Sequence, residues 1–404
     1  MDARAAAMTR TNTVALCAMV QAVGGGLGWS VLPPLMPSIA KELGISHSTG
    51  GIVWGATSLG VALSSMLGGA AVDRFGPRRV AGLALVAGAF ACAARAWAVG
   101  PWSLAAAMLV FGAHIGFCAP AIPKALAAHV PMARLARANG VALMGYTLGT
   151  AVTVLVAPTI LAPWLGGWRP TMIFAAVAML GAAGVWTLLV RDGRVTGRHA
   201  ALGDVLALTR NRALLRVAAM HFLLFGGYLA MLGLLPRALM ESGMPPARVG
   251  VAIAAWLTGA AVANYAGPWL SDRIGRRRPV LIAGGAVAGL ALGALALAPA
   301  SLTIPLLVVA ALGGGCVAPL LFAMPAEIEG VGTAHLGAAL GLLTLVGQMG
   351  GFLLPTLTGS AIQAGGLPAA IGVLAVVHLL LLVPALGLRD TRGSVRAPSA
   401  AVTA

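Results

Sequence analysis

The sequence Asp73-Arg74-Phe75-Gly76-Pro77-Arg78-Arg79 returns in the second half of the chain as Asp272-Arg273-Ile274-Gly275-Arg276-Arg277-Arg278. An aspartate beside arginines and a glycine, too charged for hydrocarbon and set between long apolar runs, suits a tight interfacial turn. Gly76 and Gly275 permit the backbone angles of a short helix-to-helix connection, and each aspartate is expected to meet the positive end of the next helix. Four further side chains with chemistry, Gln21, His114, His221 and Tyr228, lie inside long apolar runs. Polar groups at that depth are costly, so these four are the candidates for contacting a ligand, and the histidines for carrying a proton. His-Glu-x-x-His, Gly-x-Ser-x-Gly and phosphate-loop patterns are absent, so no catalytic residue, metal site or cofactor is expected.

The elements that must hold these residues are set by composition. Hydrophobic residues make up 59% of the chain and charged residues 9%, against about 25% charged in soluble domains, so most of it cannot face water. The net charge of +16 sits in short gaps between apolar runs rather than on one amphipathic face, which excludes nucleic acid as the partner and points to the bilayer surface. Cys17, Cys92, Cys118 and Cys316 all fall in apolar runs without paired spacing, the pattern of packing residues. The first apolar run is too long for a cleaved signal and reads as a retained span.

Apolar stretches of about 20 residues, the length that crosses a bilayer, occur near 12–39, 48–72, 80–99, 102–123, 139–162, 170–190, 214–236, 248–270, 280–299, 302–324, 336–360 and 367–388. The fold class is therefore an all-α polytopic membrane protein of about twelve helices. The expected organisation is a six-helix half over 1–190, a cytoplasmic linker over 191–213, and a second half over 214–404 with a short tail. With the N-terminus placed inside, all of the 26 lysines and arginines except Lys41, Arg95, Arg169, Arg237 and Arg248 fall on the cytoplasmic side. That bias puts both termini, the linker and both charged loops in the cytoplasm. The repeat also shows in Ala121-Ile122-Pro123 and Ala323-Met324-Pro325, as expected of pseudo-symmetric halves. Gly145-x-x-x-Gly149 and the glycines 347, 350 and 351 suit close helix approach.

The two charged loops resemble the signature of the major facilitator superfamily of secondary transporters. Gly69, Asp73, Arg74, Gly76, Arg78 and Arg79 match its first copy, and Asp272, Arg273, Gly275, Arg276 and Arg277 its degenerate second copy, with Pro268 in place of the leading glycine. The resemblance covers roughly residues 11 to 390. It implies that the loops gate alternating access, and that spans 1, 4, 7 and 10 line a central cavity, where Gln21, His114, His221 and Tyr228 become the substrate candidates. Departures from known subgroups are informative. Mid-membrane arginines on spans 2 and 8, expected of a nitrate or nitrite porter, are missing; span 5 has Ala157-Pro158 in place of the drug-antiporter glycine run; and Met108 stands where proton-coupled members carry an arginine.

Other polar residues have plainer readings. Arg95, within about a turn of the outer end of span 3, is expected to snorkel to the interface, with contact to substrate as the lesser alternative. Trp29, Trp54 and Trp256 could stack on a ligand but are expected as interfacial anchors, and Gly167-Trp168-Arg169 as an anchor and a snorkelling arginine. Pro33, Pro34 and Pro37 either bend the end of the first helix, as a pore-lining helix can require, or, as expected here, end it at the outer surface. Asn264, Gln348 and His378 read as hydrogen bonders between helices.

The reading is an inner-membrane, monomeric secondary transporter for a small solute, gradient-coupled, with protons as the candidate coupling ion. Few fixed charges at depth favour a neutral, zwitterionic or monovalent solute. The alternatives are an exporter of amphipathic compounds and a non-transporting sensor derived from a transporter.

Overall fold

The computed structural model describes residues 3–190, 208–331 and 336–389. The expected linker lies outside the described residues as far as 207, and the tail does so from 390. Eleven helices among the described residues are long and apolar enough to cross a membrane. They are α1 (Asn12–Leu43), α2 (His47–Phe75), α3 (Pro77–Ala96), α4 (Pro101–His129), α5 (Ala138–Leu165), α6 (Trp168–Leu189), α7 (Arg212–Glu241), α8 (Pro246–Ile274), α9 (Arg278–Leu297), α10 (Ala300–Glu327) and the long Ala338–Leu386. Held straight, that last piece would reach roughly 70 Å at ~1.5 Å per residue, over twice the ~30 Å hydrocarbon core. It does not stay straight. Gly365 (φ −144°, ψ 15°) and Gly366 (φ 68°, ψ −161°) leave helical geometry and divide it into α11 and α12, which reconciles eleven continuous helices with the twelve expected spans.

Local chemistry sets the boundaries. Thr49 N donates to the Ser46 side chain at 3.2 Å and starts α2, a side-chain oxygen satisfying one of the amides a helix start leaves unpaired. At the other end Gly76 turns at φ 82°, and Gly275 does the same after α8 at φ 73°. Both loop glycines thus hold backbone angles that a side chain would oppose. Pro77 and Pro101 open α3 and α4, where a missing N–H costs nothing.

The prolines do not end α1, contrary to expectation. The helix runs on through Pro33, Pro34 and Pro37 to Leu43. Its disturbance comes earlier, as a π-helical turn over Gln21–Leu27 containing Gly24, Gly25 and Gly26. Such widened turns recur at functional positions in helices.

Contacts divide the chain into two compact units. The first comprises residues 1–199, 229–254 and 355–363, and so joins α1–α6 to parts of α7, α8 and α11. Its largest helix interface is between α2 and α4. There the backbones all but touch: a Cβ added at Gly60 would fall on the Leu109 carbonyl, one at Gly112 on the Thr57 carbonyl, and one at Gly68 on the Gly116 carbonyl. The second unit comprises 200–228, 255–354 and 364–404. Its core gathers Leu214, Met220, Leu281, Leu320, Leu343 and Leu381, all buried. Large side chains such as Leu63, Leu83, Phe90, Leu188, Leu290 and Leu297 are exposed along the spans, a surface that belongs in lipid.

Gly60→Ala and Gly112→Ala are each expected to cost about 2 kcal/mol through forced helix separation. Gly181→Ala, which meets open space, leaves stability unchanged. Melting of the detergent-solubilised protein checks the contrast; equal melting in all three would refute it.

Candidate functional site

In the first unit, the end of α2 that starts at His47 is closed by polar contacts. His47 Nε2 donates to Glu241 Oε2 at 2.6 Å, while Arg237 donates from Nε to Glu241 Oε1 at 2.7 Å and from Nη1 to the Ile45 carbonyl at 3.1 Å. Ser48 Oγ donates to Gln363 Oε1 at 2.7 Å, and a Cβ on Gly51 would fall on the Pro355 carbonyl. One layer deeper, Trp54 Nε1 donates to the Leu229 carbonyl at 2.8 Å. Trp54 stacks on Trp29 at 5.8 Å, and Trp29 lies 6.2 Å from Tyr146. Trp29 and Trp54 are both buried, so they are interior plugs rather than interfacial anchors. His47, Ser48, Glu241 and Gln363 were not singled out in the sequence, and Arg237 entered only as a charge at the end of a span.

The other end of α2 carries the first charged loop. Asp73 pairs with Lys124 near the end of α4, and Arg78 Nε donates to the Thr187 carbonyl of α6 at 2.7 Å. In the second unit the arrangement is reversed in sign. Arg277 pairs with Glu327 at the end of α10, and its Nη1 lies 3.5 Å from Asp272. Hydrogen bonding to Glu327 raises the Arg277 pKa further above its already high value. In one loop an acid holds a lysine of a neighbouring helix, and in the other an arginine holds an acid. Gly69 meets open space; Arg74 lies 5.2 Å over Phe75 and Arg273 5.5 Å over Trp269. Arg79 lies in the first turn of α3 and Arg276 in the second loop.

Of the four candidate ligand residues, two lie in each unit. Gln21 opens the π-helical turn of α1, and its Oε1 would lie 3.9 Å from a Cβ on Gly25. His114 is buried in α4. Its Nδ1 bonds the Phe111 carbonyl at 2.5 Å, and since a carbonyl only accepts, Nδ1 carries the proton and Nε2 is left to accept. That Nε2 would lie 3.8 Å from a Cβ on Gly24, so His114 faces the same glycine turn that Gln21 begins. In the second unit His221 and Tyr228 belong to an aromatic ladder. His221 stacks on Phe225 at 5.4 Å and meets Phe322 edge-on at 4.9 Å, and Tyr228 stacks on Trp256 at 5.3 Å. Nδ1 of His221 is buried without a hydrogen-bond partner among the described residues. Trp256 is buried here too, not interfacial.

Other expectations are corrected. Arg95 does not snorkel: its side chain is 0% exposed, donates from Nη1 to the Gly28 carbonyl at 2.7 Å, and lies 3.8 Å over the Phe111 ring. Trp168 and Arg169 form a clamp, both donating to Glu42 at the end of α1, with Arg169 also bonding the carbonyls of Ala96 and Ala98. His378 donates to Leu374 of its own helix at 2.8 Å instead of reaching a neighbour.

A family model described as the Major Facilitator Superfamily matches residues 18–245 and 217–403. The chain belongs to the major facilitator superfamily. It is 28% identical over 370 residues to a probable nitrate/nitrite transporter of Mycobacterium tuberculosis, covering 88% of this chain and 90% of that one. It is 32% identical to the chloramphenicol resistance protein of Streptomyces lividans over 286 residues, 68% of each. Among solved structures it resembles a bacterial homologue of the human lysosomal transporter Spinster, in an inward-facing and occupied conformation, with TM-score 0.77, 15% identity, and 93% and 94% of the two chains covered. This superfamily member is a multi-pass membrane protein and a secondary transporter.

Asp73→Asn removes the partner of Lys124 without touching a core contact. Transport is expected to fall about tenfold or more at near-normal expression, since the change removes charge from the loop that the resemblance makes a gate and leaves the core intact. The exchange Asp73→Lys with Lys124→Asp recovers part of it. Initial uptake rates in proteoliposomes decide; full activity in Asp73→Asn would make the loop a topological anchor only.

Proposed function

We propose that this secondary transporter moves a small monovalent anion by alternating access. The observation that carries the reading is the placement of charge. The described acids of the helices, Glu42, Asp73, Glu241, Asp272 and Glu327, all sit at helix ends beside a base, whereas the charge buried in the first unit is the cation Arg95. An interior whose fixed charge is positive favours an anion and disfavours a cation. The relative named as a probable nitrate/nitrite transporter supports the class, but this chain lacks mid-membrane arginines on spans 2 and 8, so its contacts to the anion differ from those of a porter built on that pair.

Gln21 and His114 in the first unit, and His221 and Tyr228 in the second, are proposed to contact the solute. The two charged loops act as gates at one end of the helices, and His47, Glu241, Arg237, Ser48 and Gln363 act as the latch at the other. Both termini, the linker and the charged loops are assigned to the cytoplasm, the latch to the outer face of an inner membrane, and residues 1–190 and 214–404 to the two repeats. Protons are the proposed coupling ion, with the histidines as carriers, since acids at depth are missing among the described residues. The protein works as a monomer in lipid and catalyses no covalent chemistry.

Counterflow in proteoliposomes loaded with nitrate, nitrite, formate or acetate, against neutral sugars and nucleosides, tests the substrate class. Exchange of at least one anion and no neutral solute is expected; exchange of neutral solutes alone refutes it. His114→Ala should alter affinity or proton dependence, and unchanged values would remove His114 from the contact set. A disulfide between Ser48→Cys and Gln363→Cys should stop exchange until reduced; undiminished exchange would show that this end need not open.

A further inference from the structure

Among the described residues of the first unit, Arg95 is a fully buried charge that no acid pairs with. No carboxylate among the described residues pairs with Arg95, and the nearby polar atoms do not exhaust its donors. Nη1 serves the Gly28 carbonyl and lies 4.0 Å from Cys92 Sγ. One face of the guanidinium covers the Phe111 ring at 3.8 Å. Nε and Nη2 are buried and have no hydrogen-bond partner among the described residues.

Those two atoms are not an arbitrary remainder. Nε–H and Nη2–H lie on the same edge of the planar guanidinium and point in parallel, which makes that edge a fork matched to two oxygens of one planar anion. A chloride ion or a single water cannot satisfy both N–H groups with equally good geometry. Leaving a charged donor pair dry is among the most expensive arrangements a protein interior can hold. The other contacts fix the fork in place: Nη1 and the ring face are both used, so the guanidinium cannot swing its free edge to a backbone carbonyl without losing them. The same Phe111 meets the edge of His114 at 4.4 Å, so this cluster adjoins one of the proposed solute contacts.

We infer that the Nε/Nη2 edge of Arg95 is a binding site, within the first unit, for a planar anion presenting two oxygens, of the carboxylate or nitrate type. As a statement about substrate this rests on the small-anion reading above; as a statement about a site it stands on the geometry alone. The bound anion is either the transported solute or a resident one, and the two sources are separable.

The test uses the full-length protein in detergent, titrated with sodium nitrate, formate and chloride and followed by thermal shift. Wild type should bind nitrate or formate roughly tenfold or more tightly than chloride, as expected for two charge-assisted bonds against one ionic contact. Arg95→Lys keeps the charge but has no fork, and should lose that preference. Arg95→Met keeps the stem and removes the charge; it should fold in anion-free buffer and show no anion-dependent shift. A wild type without preference for planar anions, or an Arg95→Lys variant that keeps the preference, overturns the site. So does an Arg95→Met variant that retains the shift.

Counterflow with the same proteins separates the two ideas. If anion exchange proceeds equally in wild type and Arg95→Lys although the variant has lost the planar-anion preference, the anion reading survives and the anion held at Arg95 is resident, not transported. If wild type binds planar anions through Arg95 but exchanges none, the site stands and the proposed substrate class fails.

Discussion

In hydrocarbon, one apolar helix gains almost nothing by hiding from lipid against another, so cohesion must come from how closely two backbones can approach. The α2–α4 contact is the clearest instance. Gly60, Gly68 and Gly112 bring each backbone against a carbonyl of the other, at a distance no larger residue allows. The same device seats α5 on the π-helical turn of α1, where a Cβ on Gly26 would lie 2.7 Å from the Gly149 backbone. In the second unit it sets α11 against α7, where Gly350 abuts Phe222 and Gly226 abuts Gly350. The 55 glycines are thus a structural resource here, where in water they would mostly cost helix stability. Contacts made of backbone rather than interlocked side chains also have little to disengage when helices slide.

Much of this was legible in the sequence because the membrane imposes a length. The spans, the repeat and the need for glycine at 76 and 275 all follow from one-dimensional information: run length, spacing and charge. What failed was azimuth. A residue one turn from a helix end can point to lipid headgroups or into the bundle, and about 100° of rotation per residue decides which. In a soluble helix an apolar stripe reveals that rotation. In a span it does not, since the lipid face and the packed face are both apolar. Arg95, Trp29, Trp54 and Trp256 were therefore assigned the right depth and the wrong direction. The Trp168–Arg169 clamp failed for a related reason: its acceptor, Glu42, lies on another helix end far away in sequence.

Depth and direction together explain why the candidate ligand residues are more than isolated polar positions. His114 faces the glycine turn that Gln21 begins, and its fixed tautomer leaves one nitrogen able to accept. His221 sits within a ladder of rings. Both histidines owe their surroundings to aromatic neighbours, Phe111 on one side and Phe225 with Phe322 on the other, which shape a site without adding charge.

The sign reversal between the two charged loops has a historical meaning. In the repeat that pairs Pro123 with Pro325, Lys124 falls opposite Ala326, and Glu327 stands one residue further on. If the halves descend from one ancestral repeat, the lysine held by Asp73 and the acid held by Arg277 are charges at neighbouring sites, not an exchange of sign at one site. Each loop therefore has its own partner at its own position. The two copies of the motif are relics of one sequence that now obey separate rules, so a residue's role in the first copy is a poor guide to its counterpart in the second.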